Sequence, residues 1–524
     1  MTDTISHDDG ARWPVLEKPP VGGMWRHLSG VSRTTAMTAA VSLVLLGGVT
    51  TAVARNFATG ADAADAVPAS AFGIVQLDLS LPDGQAGAVE HLVKRFPGAL
   101  NSSGSIRDRL LRAFLKDSED PHVDYDTSVK SWLGDHIAVA GWADGAGAPQ
   151  VEFLLQSTDD GAARKEIRKA APDVGLAFSH GFAVLAPTQS AADDAVRAAN
   201  KSALSGRSTY TDDVAALGGS PAMTGWLDTT GAVKAIQQAF SRQVGEGAPN
   251  LSLFGGLQDA TGRVVAGLRV SDDGENSAVQ LDVIVRGGKK PTRATSTDRL
   301  RHLPASTLAA VAIANPAGIV NDITTQLDGP LGMFFGGVNE SCTASSLYPE
   351  PQCETTEEPD PMTALSDAIG LKIPDDLVAL LGSDAVLAYG GISGDGTPKI
   401  GLRSKPADVT AAADVVTKLR DKLLDSDIQL AERPVEGGDF VLATTDDYAG
   451  DLATAGTLGA ADRFDDAMRG MPPSVQFASY LDLGALLPLA THGMVPQLDR
   501  LSAVGLWSGD VDGTPTTRIR LIVH

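Results

Sequence analysis

The run Pro68 to Leu79, PASAFGIVQLDL, is dense in apolar and β-compatible residues and predicts a strand. Helical spacing follows. Gln85 to Phe96 places Val89, Leu92, Val93 and Phe96 on one face, and Ile106 to Leu115 groups Leu110, Leu111 and Phe114. His136 to Trp142 and Gln150 to Gln156 read as strands joined by the Gly- and Ala-rich turn Asp144 to Pro149. Asp159 to Ala171 reads as a helix capped by Thr158 or Asp159, and Leu176 to Ala186 as a hairpin turning at His180 and Gly181. A helix over Ser190 to Lys201, a strand over Met223 to Leu227, a helix over Val233 to Phe240 and a hairpin over Val264 to Val285 complete the unit. Strand hairpins separated by helices lack the regular alternation of a parallel sheet. The expected fold class is therefore α+β, a mostly antiparallel sheet with helices packed on one face.

The pattern then repeats. Pro68, Ala69 and Ser70 return as Pro304, Ala305 and Ser306, an offset of 304 − 68 = 236. GDHIAVAGW from Gly134 returns as GSDAVLAYGG from Gly382, at 382 − 134 = 248, so the second copy carries an insertion before that point. Gly181 to Leu185 answer to Gly438 to Leu442, and Leu227 and Asp228 to Leu481 and Asp482. The closing hairpin from Gly267 returns at Gly505. Each copy, about 220 residues, is long enough to bury a core of its own. The expected organisation is a first unit over 65–286, a connector over 287–301 (GGKKPTRATSTDRLR) and a second unit over 302–524 with an insertion over 330–362.

Ahead of the first unit, residues 34–54 form 21 consecutive uncharged residues, TTAMTAAVSLVLLGGVTTAVA, and about 20 helical residues span a bilayer core. This predicts one transmembrane helix. Ala52, Val53 and Ala54 offer an AxA cleavage pattern, but the length of the run and of the preceding tail favour an uncleaved anchor. Residues 1–33 read as a disordered cytoplasmic tail, with both units outside the membrane.

The net charge of -23 is spread through both copies and opposes nucleic acid as a partner. The only cysteines, Cys342 and Cys353, fall in the insertion, and outside the cytosol they are a disulfide candidate.

No phosphate loop, HExxH, CxxC or dinucleotide GxGxxG motif occurs, which removes those enzyme classes. Ser393 in GISGDG misses the nucleophile elbow and reads as a hairpin turn. SDDGEN (from Ser271) and SGDVDG (from Ser508) read as hairpin turns too, not calcium loops. Asp78, Asp228 and Asp482 each end a strand-like run and are candidates to line a pocket; helix capping explains the same placement. No catalytic, cofactor or metal residue is assigned, and the histidines, His136 among them, have no partner legible in the sequence.

The stretch ADAVPASAFGIVQLDLSLPDGQ, with KRFPGA and SWLGDHIAVAGW after it, resembles the actinobacterial membrane-anchored Domain of Unknown Function 3352 family. The likeness covers nearly everything after the apolar run and is clearer in the first copy. It implies an envelope protein of a Gram-positive bacterium and carries over no activity, ligand or functional residue. The sequence as a whole leads to a single-pass extracytoplasmic envelope protein, a non-enzymatic binding module anchored in the lipid bilayer through 34–54. A groove between the copies is its expected site, and an unknown envelope protein or ligand its expected partner. A structural spacer or regulator of envelope assembly is the alternative, and an extracytoplasmic hydrolase using Asp78, Asp228 or Asp482 with a His or Ser is a third reading.

Overall fold

The structure is a computed structural model that describes residues 62–81, 84–96, 104–116, 124–235, 262–287, 294–316, 318, 341–343, 352–354, 366, 370–423, 429–435, 438–491 and 498–524. The expected tail and membrane helix lie outside the described residues. Among the described residues no helix is long and apolar enough to cross a membrane.

The first unit contains strands β1 (Ala71–Asp78), β2 (Leu133–Ala143), β3 (Pro149–Ser157), β4 (Gly175–Ser179), β5 (Phe182–Ala186), β6 (Met223–Asp228), β7 (Arg263–Asp273) and β8 (Asn276–Arg286). Its helices are α1 (Gln85–Arg95), α2 (Ile106–Lys116), α3 (Asp160–Ala170), α4 (Gln189–Lys201) and α5 (Ser208–Ala215). The second unit opens with β9 (Thr295–Ser296) and α6 (Asp298–Arg301), then β10 (Ala309–Ala314), β11 (Ser341–Thr343), β12 (Gln352–Glu354) and α7 (Asp375–Leu381). It continues with β13 (Asp384–Ile392), β14 (Pro398–Ser404), α8 (Val409–Lys422), β15 (Ala431–Val435), β16 (Asp439–Ala443) and α9 (Asp446–Ala453). The last elements are α10 (Asp462–Ala467), β17 (Ser474–Leu481), α11 (Leu483–Thr491), β18 (Leu501–Val511) and β19 (Thr514–Val523).

The expected α+β class and antiparallel pairing hold. Each unit repeats one strand order, β4-β5-β3-β2-β1-β6-β7-β8 in the first and β15-β16-β14-β13-β10-β17-β18-β19 in the second. Local signals set these elements. His180 and Gly181, at φ 51° and 79°, make the left-handed turn between β4 and β5; Asp512 and Gly513, at 51° and 81°, do so between β18 and β19. The Asp159 carboxylate caps α3 by accepting from Gly161 N and Ala162 N. Ser393 sits in the β13–β14 turn, bonded to Thr397 O and Asp395, as expected.

Two expectations need correction. Helices cover both faces of the sheet, not one. Phe182 and Val184 pack with Ala195 of α4 on one face, while Ala183 and Leu185 pack with Ala163 and Ile167 of α3 on the other. In the second unit Val441 packs with α9 and α10, and Phe440 and Leu442 with α8. The physical reason is visible in β5, FAVLA, where all five residues are buried and an uninterrupted apolar strand demands cover on both sides. The connector is also partly built into the second unit. Within 287–301, Thr295 and Ser296 pair with Val475 and Ser474 of β17, and α6 buries Leu300. Helix α6 repeats the turn Ala63–Asp65 of the first unit: Leu204 N donates to Val67 O (2.8 Å) and Leu458 N to Leu303 O (3.0 Å).

The two units are one sheet. Strand β8 pairs with β19 over eight residues, from Ser277↔Val523 to Ile284↔Thr516. At the middle of the ladder Leu281 faces Ile519, and 519 − 281 = 238 is the offset of the closing hairpins themselves. A local twofold axis therefore passes between a residue and its own repeat. Beside the axis the Asp282 carboxylate accepts from Arg518 Nε (2.6 Å) and Arg269 Nη1 (2.8 Å), and the twofold-related contact is Arg520 Nη1 donating to Gln280 Oε1 (2.9 Å).

The outer edges of the sheet are closed chemically. The Gln189 side-chain amide accepts from Leu176 N (3.1 Å) and donates to Leu176 O (3.0 Å), occupying backbone groups of edge strand β4. At the far edge, β15 carries Pro434, which has no N–H to offer, and Arg420 donates to Leu430 O just before it. Both devices blunt a strand that would otherwise recruit another chain.

Candidate functional site

The most unusual polar grouping of the first unit lies where β1 ends and β2 begins. The register pairs Asp78 with His136, so both side chains emerge on one face of the sheet as neighbours. Asp78 is buried at 6% exposure and its Oδ1 accepts from Ser80 N (2.8 Å). Its Oδ2 has no hydrogen-bond partner and stands 3.7 Å from His136 Nδ1, a contact too long for a hydrogen bond but close enough for charge to be felt. Burial pushes the Asp78 carboxyl above its ordinary value, against the Ser80 bonds and the His136 ring.

The chain entering the fold adds a second acid. Asp62 accepts from Ala64 N (2.9 Å) and so caps the turn that docks through Ala63, Ala64, Ala66 and Val67, all buried. Burial also raises the Asp62 carboxyl, with neighbouring Asp65 adding to the effect and His136 opposing it. Behind this corner Tyr210 packs edge-on against Trp226, ring centroids 5.6 Å apart. The second unit repeats that pair as Phe464 and Tyr480 at 5.1 Å.

An acid with a raised proton affinity beside an imidazole can share or relay a proton. Nucleophilic hydrolysis needs more, namely a hydroxyl or thiol bonded to the ring. Among the described residues none is bonded to the His136 ring.

The three candidate aspartates do not converge. Strands β1 and β6 are antiparallel, with Leu77 opposite Met223 and Gly73 opposite Leu227. This puts Asp78 and Asp228 at opposite ends of the pair, about 20 Å apart at roughly 3.3 Å per residue. Asp228 accepts from Gly231 N (3.1 Å) and from Arg207 Nη2 (2.7 Å). Asp482, in the other unit, accepts from Ala485 N (2.9 Å) and pairs with Arg463 (2.8 Å). Capping, each time braced by an arginine from the preceding helical segment, accounts for both. The cysteine pair is different: β11 and β12 set Cys342 directly opposite Cys353, and opposed antiparallel residues have the Cα separation a disulfide requires.

The same corner of the second unit has other chemistry. Asp78 is replaced by Ala314 and His136 by Asp384, which pair across β10 and β13. Arg299 of α6 reaches Asp384 (3.5 Å) and Asp439 (2.7 Å), and Arg403 also bonds Asp439 (3.1 Å). Burial would raise the Asp439 carboxyl, yet the bonds from Arg299 and Arg403 hold it below its ordinary value. One corner therefore carries a closed ion-pair network, and the other an acid with an unbonded oxygen.

Sequence reasoning missed the Asp78–His136 pairing and the contribution of Asp62. They come together only through strand register and chain entry, for which motif spacing holds no signal. It also missed Glu152 of β3, fully buried on the face where α4 packs, whose two carboxyl oxygens have no hydrogen-bond partner. Here the signal was present: a glutamate in the middle of the apolar strand PQVEFLLQS.

No protein-family model matches the chain, and no curated protein matches it at a significant level.

Proposed function

We propose that this chain is a single-pass, membrane-anchored protein of the bacterial envelope whose duplicated sheet lies outside the membrane and acts as a non-enzymatic binding platform. The likeness to the actinobacterial family of unknown function belongs to the same proposal. The observation that carries it is the spacing between the apolar run and the fold. Residues 55–61 alone separate position 54 from Asp62, where the chain is already docked on β1 and β2, and seven extended residues reach about 25 Å at most. An anchored first unit would therefore stay close to the bilayer surface.

The test is topology in the native host. With single cysteines at Ser220 and at Thr514, an impermeant thiol reagent should label intact cells, and deleting 34–54 should release the protein from the membrane fraction. Labelling only after lysis would sink the reading.

A rigid spacer or assembly regulator is the second reading, and the β8–β19 ladder favours it. A continuous sheet holds two units at a fixed distance. In-cell crosslinking separates the two: a binding platform yields a discrete partner on the unit faces, whereas a spacer yields contacts only at its two ends.

A further inference from the structure

In the second unit, α9 seats its large residues into glycines of the sheet: a Cβ on Gly390 would stand 2.7 Å from the Tyr448 ring, and one on Gly401 would collide with Leu452. The first unit inverts the arrangement. The caps Thr188 and Thr445 set the helices at an offset of 445 − 188 = 257, so Ala191 and Ala195 of α4 stand where Tyr448 and Leu452 stand. On the sheet Gly390 and Gly401 become Trp142 and Glu152. Volume moves from helix to sheet, and a leucine or methionine at 152 would serve that purpose. A carboxyl does not, since it leaves two buried oxygens without partners, a costly condition in a folded core.

We infer that the partnerless Glu152 carboxyl beneath the alanine face of α4 is a proton-dependent latch: protonated it lets the helix close on the sheet, and ionised it drives the helix open. The groups around it cannot take its charge. Its antiparallel partner on β2 is Ala140, α4 turns Ala192, Ala195 and Ala199 inward, and its neighbours Val151 and Phe153 are apolar. Among the described residues His136 of β2, Tyr210 of α5 and Asp62 beside the entry turn lie on the same side of the sheet, but none of them acts on it; burial alone sets its proton affinity, pushing the carboxyl up to about 8. The sign follows. An opened helix returns Glu152 to its ordinary value of 4.5, so between pH 4.5 and 8 the open form is deprotonated while the closed form keeps its proton. Opening is then favoured tenfold per pH unit across that window and levels off above it. The latch is tight in acid and loose at the alkaline end.

Amide hydrogen exchange on the full chain reads this directly, with α9 as the internal control. Protection factors, which remove the intrinsic pH dependence of exchange, should fall in α4 roughly 400-fold between pH 5 and pH 8, while those in α9 hold. The fall should vanish in both Glu152→Gln, which keeps the shape, and Glu152→Leu, which keeps the volume. If one variant fails to fold, the other and the α9 comparison still decide. Equal pH dependence in α4 and α9, or persistence of the α4 fall in either variant, overturns the latch.

Discussion

The two units solve one packing problem in opposite ways. Above the sheet of the second unit, helix α9 supplies the bulk through Tyr448 and Leu452, and the strands give way with Gly390 and Gly401. Above the sheet of the first, the strands supply the bulk through Trp142 and Glu152, and helix α4 gives way with alanines. Strand order, turns and the capping threonines stay the same, so what the duplication fixes is the summed volume between helix and sheet, not which element provides it. The chemistry followed the volume: once bulk moved to the sheet, a titratable residue could occupy a core position. The corner at the start of each unit diverged likewise, to Asp78 and His136 in one and to the Arg299, Asp384, Asp439 and Arg403 network in the other.

The sharpest way to break this comparison is to put bulk on both sides at once. Gly401→Leu should cost about 3 kcal/mol, because its side chain enters space held by Leu452. Adding Leu452→Ala should recover most of that loss, and thermal unfolding of the four members of the cycle measures the coupling. Equal costs with and without Leu452→Ala would mean that the two sites do not share a volume.

The seam between the units comes next. Asp282→Ala leaves Arg269 and Arg518, both partly exposed, without their anion and should cost about 2–3 kcal/mol. At the twofold-related contact, Gln280→Ala removes a neutral acceptor from Arg520 and should cost about 1 kcal/mol. Denaturant midpoints of the two variants test whether the seam is as asymmetric as its charges.

Glu152→Leu should have the opposite sign, raising stability at pH 7 by roughly 2 kcal/mol, since two unpartnered buried oxygens disappear into a slot that already fits a leucine. Destabilisation there would place a hidden partner beside Glu152. Gln189→Ala should cost about 1 kcal/mol, as little as Gln280→Ala, but it frees the Leu176 backbone on edge β4, so concentration-dependent self-association in sedimentation should accompany it.

Much of the fold is legible in the chain. Helical spacing marks α1 and α2, Gly at turns marks the hairpins, and the drifting offsets reveal the duplication. These are local properties, carried by a few neighbouring residues. The rest depends on pairing between distant strands. Nothing in NSAVQLDVIVR or TPTTRIRLIV marks them as partners, because an exposed ladder of backbone groups has no side-chain signature. The pairing of Asp78 with His136 escapes for the same reason, whereas the uninterrupted apolar run FAVLA held a signal of cover on both faces that the one-face expectation passed over. Capping by Asp228 and Asp482 was a reading available from position alone, and the geometry bears it out.

The central claim is that two copies form one continuous sheet about an axis between Leu281 and Ile519. A cysteine pair, Leu281→Cys with Ile519→Cys, tests it most directly. Opposed antiparallel residues lie within disulfide reach, so mild oxidation of the folded chain should close a 238-residue loop and shift its mobility on a non-reducing gel. The control pair, Leu281→Cys with Thr517→Cys, is two residues out of register and should close far more slowly. Failure of the opposed pair to crosslink in the folded protein, or equal rates for the two pairs, would contradict the shared sheet.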